Sequence, residues 1–589
     1  MSSDYAESDK APAKTGTIPA LWSAKLIPHS AEFPDPYELI GDAYERISVA
    51  DQWEIQDPKS EKLPYLAHIK SLSTSWKTLR HLADWMQVGT TPLRWNEIKN
   101  HPEDRERRAH KTNITFVEYQ PAAEPKSIPI QTSSALRETL QSLSHEPGKE
   151  PPLRLFVVED LSQQVIKQLG ERFDIDPHFF REQIDDYVWY NTRDPWAIPP
   201  SLVSSMKHRQ WFRLRNMRLR YHKTEEDYQA SRLEANSWNV LRRPDNDENH
   251  WHYLDGEGAV VSIIRTRTTV WIGKDKKCGY GTVGIVLLDP TVSQGRPLWY
   301  DRDNWLPTPK METKVYPSIK SSVSWFEDIV QMTTAFPWFE RSEGHEINAQ
   351  VLAKPTLYTI CAEWLVVCDY VRTRLSQIEW ELEKPHLFRS KGDAIDSSLT
   401  RLHTWRRHIP VFRSMVTETL EHALPAAARL TTPSSYSSTA PSSPMSYTGR
   451  SLTSDKIVIN FNNADGFEDI VPDFRRVLTA INELQERVDR LTSIVTSEIS
   501  IEDSRRGFKE SHNMARITWL ATVFIPLTFV AGLYSMNESV SALKETYGWY
   551  FLTAVPFTLI VMAIGWVVGG GSLMPWREKK GVGRENKGK

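Results

Sequence analysis

The chain has 589 residues, a net charge of -3, a mean hydropathy of -0.48 and 25% charged residues. With 26 glycines, 3 cysteines and 40% hydrophobic residues, it is not collagen-like, disulfide-rich or wholly disordered. The near-neutral charge offers no basic domain of the kind that binds nucleic acid. Such averages describe a large soluble protein of several domains; the distribution of apolar residues along the chain says otherwise.

Residues 1–60 are Pro-rich and weakly patterned, which predicts a disordered tail. Its start, MSSDYAESDK, is acidic and has no apolar core, so it fits neither a secretory signal nor a transit peptide. Residues 61–430 read as an α/β or α+β domain. Leu153 to Val158 (LRLFVV) is a buried-strand run, and Ser162 to Leu169 reads as a helix ending at Gly170. Arg209 to Arg215, Ala259 to Arg265, Thr268 to Ile272 and Thr282 to Leu288 read as strands from their β-branched and aromatic content. Asn348 to Glu383 is a long helical pattern. Strands followed by long helices point to a mixed domain. Cys278, Cys361 and Cys368 are too few for a disulfide framework and read as reduced cytosolic thiols. His250, His252 and Cys278 lack the tight spacing of a zinc site, and His403 and His408, five apart, share a helix face poorly. There is no phosphate-binding glycine loop, nucleophile elbow or HExxH motif, so an enzyme is not expected.

Residues 431–455 (within them TTPSSYSSTAPSSPMSYTGRSLTS) cannot form a core and read as a linker. Residues 456–513 read as a stalk: Phe474, Val477, Ile481, Leu484, Val488, Leu491 and Val495 form a heptad seam suited to a coiled coil or an amphipathic helix. No Gly or Pro interrupts the chain from Asp473 to Arg506, so one helix is predicted to run from about Asp473 toward the membrane, with Gly507 its weak point.

Two charge-free runs follow, 21 residues from Ile517 to Asn537 and 31 from Thr546 to Trp576. A helix that crosses the hydrocarbon core needs about 20 apolar residues, so 514–537 and 549–570 are predicted transmembrane helices, with 538–548 an external loop. Arg505, Arg506, Lys509 and Arg516 precede the first; the 571–589 tail carries Arg577, Lys579, Lys580, Arg584, Lys587 and Lys589. The positive-inside rule puts both flanks, and therefore both termini, in the cytosol. The sequon Asn537-Glu538-Ser539 lies against the membrane surface and is expected to be unmodified.

From Phe524 to Tyr534 the sequence FIPLTFVAGLY resembles the pore helix of the CorA family of divalent-cation transporters. Ser535-Met536-Asn537 stands where that family carries Gly-Met-Asn, and Tyr547-Gly548-Trp549-Tyr550 is similar to the opening of its second helix. LRLFVVEDLSQQVIKQLGERFDIDPHFF, Leu153 to Phe180, looks like the start of the cytosolic domain in fungal CorA-like proteins. The resemblance implies a homo-oligomer, a pentamer, in the lipid bilayer of the plasma membrane, passing Mg2+ as cargo with no resident cofactor. It implies an ion-selectivity mouth of Tyr534, Ser535, Met536 and Asn537, with Asn537 meeting the hydrated metal ion. Thr528, Ile525 and Ile517 are expected to line the pore, and Glu538 and Glu545 to make the external loop slightly acidic. Ser535 departs from the family's glycine and adds a Cβ where close backbone approach or positive φ is implied. Two alternatives share this architecture: a non-transporting, membrane-anchored interaction protein, and a transporter of Zn2+ or another divalent cation.

Overall fold

The computed structural model describes residues 64–89, 101–120, 125–144, 153–184, 198, 201–240, 242, 244–247, 258–278, 280–298, 311, 324–334, 348–383, 394–432, 466–536 and 543–568. The expected tail, almost all of the Ser/Thr/Pro-rich linker and the basic 571–589 segment lie outside them. The chain divides into two compact units, one made of Met1–Glu381 with Thr400–Asp489 and the other of Leu382–Leu399 with Arg490–Lys589.

The first unit is built on a mixed sheet. Its strands are β1 (Asn113–Tyr119), β2 (Lys126–Ile130), β3 (Leu153–Glu159), β4 (Trp211–His222), β5 (Pro244–Asp247), β6 (Val260–Asp275), β7 (Gly281–Leu288) and β8 (Arg296–Pro297). They follow the order β2-β1-β3-β7-β6-β4-β8, with β5 on β6. Only β3 and β7 pair in parallel among these; β1 with β2, β1 with β3, β6 with β7 and β4 with β6 run antiparallel. The helices around it are α1 (Pro64–Leu72), α2 (Leu79–Val88), α3 (Pro102–His110), α4 (Ser133–Ser142), α5 (Gln163–Phe173), α6 (Pro177–Ile184), α7 (Glu225–Ala235), α8 (Trp325–Thr334), α9 (Lys354–Glu383), α10 (Ala394–Glu418) and α11 (Leu424–Thr431).

Central β3 and β7 are buried nearly throughout, which is why LRLFVV reads as an unbroken apolar run. The predicted strands 259–265 and 268–272 are one strand, β6: the polar stretch Arg265-Thr266-Arg267 continues the ladder because its partners lie elsewhere in the fold. Arg267 donates through its backbone N–H to Asp289, at 2.7 Å, and through its guanidinium to the Glu182 carbonyl. One core packs α1, α2, α5 and α6 on the sheet. Phe156 sits between Phe116 and Phe173, at 4.9 and 5.8 Å between ring centres.

Ser162 caps α5 as expected, its side chain accepting from the Val165 N–H. The helix, however, does not stop at Gly170. It continues to Phe173 and ends at Asp174, which takes the left-handed conformation at φ 55. Gly170 serves close packing instead: a Cβ there would lie 2.4 Å from the Tyr65 ring.

The last two helices are α12 (Val471–Tyr534, 64 residues) and α13 (Leu543–Val568, 26 residues). Gly507 does not break α12. The whole heptad seam from Phe474 to Val495 is buried within this single chain. Lower on α12, Arg487 bonds to Glu379 and Ser376 of α9. The seam is therefore used for packing inside one chain, and a coiled coil between chains is not needed to bury it.

Candidate ion-conducting site

The second unit contains the apolar half of α12 and all of α13. Both are long and apolar enough to cross a membrane, and only 11% of each apolar window is buried. The two helices meet where Pro526, Val530, Ala554 and Thr558 are buried. The Tyr550 hydroxyl donates to the Leu527 carbonyl at 3.3 Å. Tyr534 and Tyr550 pack edge to face with ring centres 6.3 Å apart, and Phe529 and Phe557 are also 6.3 Å apart. Apolar surface left outside this contact needs lipid or another protein to cover it.

At 100° per residue, Ile517, Ala521, Phe524, Thr528, Ala531 and Ser535 recur at four- and three-residue steps and share one face of α12. That face points away from the buried Pro526–Val530 side, and Ile525 stands at its margin. Ile517 and Ile525 are 68% and 67% exposed. Thr528 donates its hydroxyl hydrogen to the Phe524 carbonyl at 2.7 Å. This satisfies the donor in an apolar setting, and because a hydroxyl also has two acceptor lone pairs, its oxygen keeps the capacity to accept. The Ala521–Thr528–Ser535 repeat was not drawn from the sequence, although its seven-residue period is visible there.

At the mouth, Tyr534 ends α12 and Ser535 continues its hydrogen bonding, its N–H donating to the Ala531 carbonyl at 3.0 Å. Positive φ among the described residues is confined to Asp160, Asp174, Tyr280 and four glycines. Ser535 thus accepts its Cβ without left-handed strain. Met536 is exposed, whereas Asn537 and Glu538 lie outside the described residues. Helical geometry alone would put Asn537, nine residues beyond Thr528, half a turn from it rather than on its face. α13 begins at Leu543, so Glu545 lies in the first turn of that helix, ahead of the apolar span that starts at Tyr547.

The other candidates separate. His250 and His252 lie outside the described residues. Cys278 is buried, with Arg154 donating to its sulfur at 3.2 Å. Among the described residues no group of three or more His, Cys, Asp and Glu side chains could hold a metal ion. His408 is buried and stacks on Phe412 at 5.8 Å, while His403 is exposed. Cys361 and Cys368 are buried in α9, and burial pushes both thiols up, Cys368 to about 12, so they are unreactive.

A mixed sheet domain and, in the second unit, two paired helices long and apolar enough to cross a membrane point to a membrane protein with two spans. Residues 441–568 match the family model described as CorA-like Mg2+ transporter protein. The cobalt/magnesium transport protein CorA of Thermotoga maritima is 31% identical over 98 residues, which is 16% of this chain and 28% of that protein. The matched stretch thus spans less than a third of that relative's length, and the family-model match covers residues 441–568, the linker and stalk together with the two apolar helices. Among solved structures, the CorA magnesium transporter from Methanocaldococcus jannaschii overlays with a TM-score of 0.34 at 9% identity, covering 77% of this chain and 96% of that one. The full-length CmaX protein overlays with a TM-score of 0.34 at 12% identity, over 78% of this chain and 97% of that one.

Proposed function

We propose that this chain forms a homo-oligomer, a pentamer by analogy with its family, that passes divalent cations, Mg2+ foremost, through a pore lined by α12. The termini lie in the cytosol and the membrane is the plasma membrane. The observation that carries the reading is the repeat of small and hydroxyl side chains on the α12 face turned away from α13. Mg2+ gives up its water reluctantly, so its pathway should offer oxygens to a hydrated ion. The Thr528 oxygen, its hydrogen committed to Phe524, is set to accept from that hydration water. Ser535 adds a second ring of hydroxyls one heptad outward, and Asn537 takes the ion at the outer mouth, with Tyr534 and Met536 shaping the entrance. Glu538 at the entrance favours cations over anions. Ile525 and Ile517 form apolar constrictions on the cytosolic side. Entry down an inside-negative potential is favoured by about 4.6 kcal/mol per 100 mV for a divalent ion.

Flux into liposomes carrying the purified protein tests this. Mg2+ uptake that rises with an inside-negative potential and falls at least tenfold in Asn537→Ala and Thr528→Val is the expected result. Uptake of Zn2+ alone would change the cargo and keep the pathway. No divalent flux from intact oligomers would leave a membrane-anchored protein that does not transport.

A further inference from the structure

Between its buried seam and its apolar span, α12 carries a stretch that no described residue covers: every residue from Asp503 to Ala515 is exposed. The charges on this stretch are sorted by face. Arg505, Lys509, His512 and Arg516 follow at steps of four, three and four, so at 100° per residue they form one row along the helix. Asp503 and Glu510, seven residues apart, fall on roughly the opposite side. One more step of seven reaches Ile517, so the acids continue the face that carries Thr528, and the basic row is turned away from it. Arg506, outside the row, is closed by an ion pair to Glu502 at 2.8 Å. Arg505 and Lys509 have no carboxylate partner among the described residues.

Two exposed aromatic side chains border the row. Phe508 is 77% exposed beside Lys509 and His512, and Trp519, 46% exposed, stands just inside the apolar span. Aromatic rings next to cations are the side-chain pattern of a membrane–water interface. The heights agree with that setting. At 1.5 Å per residue, His512 lies about 7.5 Å, Lys509 about 12 Å and Arg505 about 18 Å from Ile517, where the apolar span begins. The headgroup layer extends about 5–8 Å beyond the hydrocarbon, and the long stem of lysine lets its charge reach back toward it. Beyond that layer the potential of an anionic leaflet fades over about 8 Å, so Arg505 stands near its outer limit.

We infer that the row of Arg505, Lys509 and His512, completed by Arg516 at the membrane edge, is a binding face for anionic phospholipid headgroups. The headgroups hold this side of α12 against the leaflet and leave the acidic side toward the proposed pathway. Cations clustered next to a membrane span attract an anionic leaflet, each worth about fivefold in affinity near the surface. The inference rests on α12 crossing the bilayer and does not depend on transport. The basic residues of the 571–589 tail could draw the same lipids, so the test keeps them unchanged.

Native mass spectrometry of the full chain in detergent, titrated with dioctanoyl phosphatidylserine, dioctanoyl phosphatidylcholine and inorganic phosphate, reads bound lipid directly. Phosphatidylserine should bind at least tenfold more tightly than phosphatidylcholine in about 0.05 M salt and lose most of that margin in about 0.5 M. Inorganic phosphate should displace neither lipid. The double variant Arg505→Gln, Lys509→Gln should lower phosphatidylserine affinity at least fivefold, with Lys509→Gln giving the larger share. Glu510→Gln, on the other side of the helix, should stay within twofold of the wild type, and circular dichroism controls for folding. If the two lipids bind alike, if inorganic phosphate displaces phosphatidylserine, or if the folded double variant binds it as the wild type does, the inference falls. It falls too if Glu510→Gln weakens binding as much as the double variant. A chain that stays dispersed in buffer without detergent would instead overturn the membrane reading beneath it.

Discussion

The two units handle their side chains in opposite ways. In the first, apolar residues are internal and even charged ones are buried in pairs. Arg242 and Asp289, with side chains 0% and 2% exposed, are joined at 2.6 Å. Arg172 and Arg154 both reach the buried Asp275. In the second, Phe524, Phe529, Leu533, Phe551 and Ile560 all stand outside, and the threonine hydroxyls of Thr522, Thr528, Thr553 and Thr558 bond back to carbonyls one turn earlier. One unit is self-sufficient in water. The other satisfies its polar groups internally and leaves its apolar ones to the surroundings, as a bilayer requires.

Removing one member of a buried pair is the hardest test of the first half of that contrast. Arg242→Ala leaves Asp289 buried without its cation and should cost about 3–5 kcal/mol in chemical denaturation followed by tryptophan fluorescence. A loss under 1 kcal/mol would mean that water reaches the pair and that the unit is not closed. Steric tests come next. Gly170→Ala drives a methyl into the Tyr65 ring and should cost about 1–3 kcal/mol by the same measurement. In the second unit, Ala554, fully buried, is the matching position. Ala554→Leu should weaken the α12–α13 contact by about 1–3 kcal/mol in detergent-titrated unfolding. Phe551→Leu, on the same helix but exposed, should fall within about 0.5 kcal/mol. Equal effects at Ala554 and Phe551 would erase the distinction between the covered and the outward face.

Acid should also separate the units. His222 is buried, with Ser262 2.9 Å from Nε2. Burial, and then the neighbouring Arg220, lower its pKa to about 4. The unfolded chain takes up this proton near pH 6.5 and the folded one only near 4, so stability is lost as pH falls between those values and levels off below. The Glu418 carboxylate, held down by Arg213 and Arg215, adds a second loss at lower pH, below the ordinary range near 4.5. Melting of the sheet unit should therefore move to lower temperature across pH 6.5 to 4, and His222→Gln should flatten that segment while leaving the later loss. The smallest expected change is in the helical signal of the second unit, which has no such group among its described membrane residues.

The same contrast explains what could be read from the sequence. Membrane helices announce themselves because the bilayer excludes charge over a fixed length, and Ile517 to Asn537 obeys that rule residue by residue. β3 and β7 were legible because burial on both faces leaves an apolar run. β6 was read as two strands because Thr266 and Arg267 look like an interruption until Asn216, Glu182 and Asp289, remote in sequence, are placed beside them. β1 and β2 passed unnoticed: β2 is short, mostly exposed and carries Pro129, so local composition hardly marks it. The seam of α12 was visible, but whether it is covered by the same chain or another is a tertiary fact that spacing does not contain. For the candidate site, the hydroxyl repeat lay in the sequence, yet it gains meaning only when the opposite face is seen to be taken by α13.

The order of elements also bears on how the protein is made. The last strand of the sheet ends at Pro297, and the apolar half of α12 begins about 220 residues later, at Ile517. At about 5–20 residues per second, synthesis leaves roughly 11–44 s between them. Sheets rich in distant pairings, such as β3 with β7, close in milliseconds to seconds. The ribosome therefore delivers the hydrophobic half of α12 behind a sheet whose central strands have had time to pair.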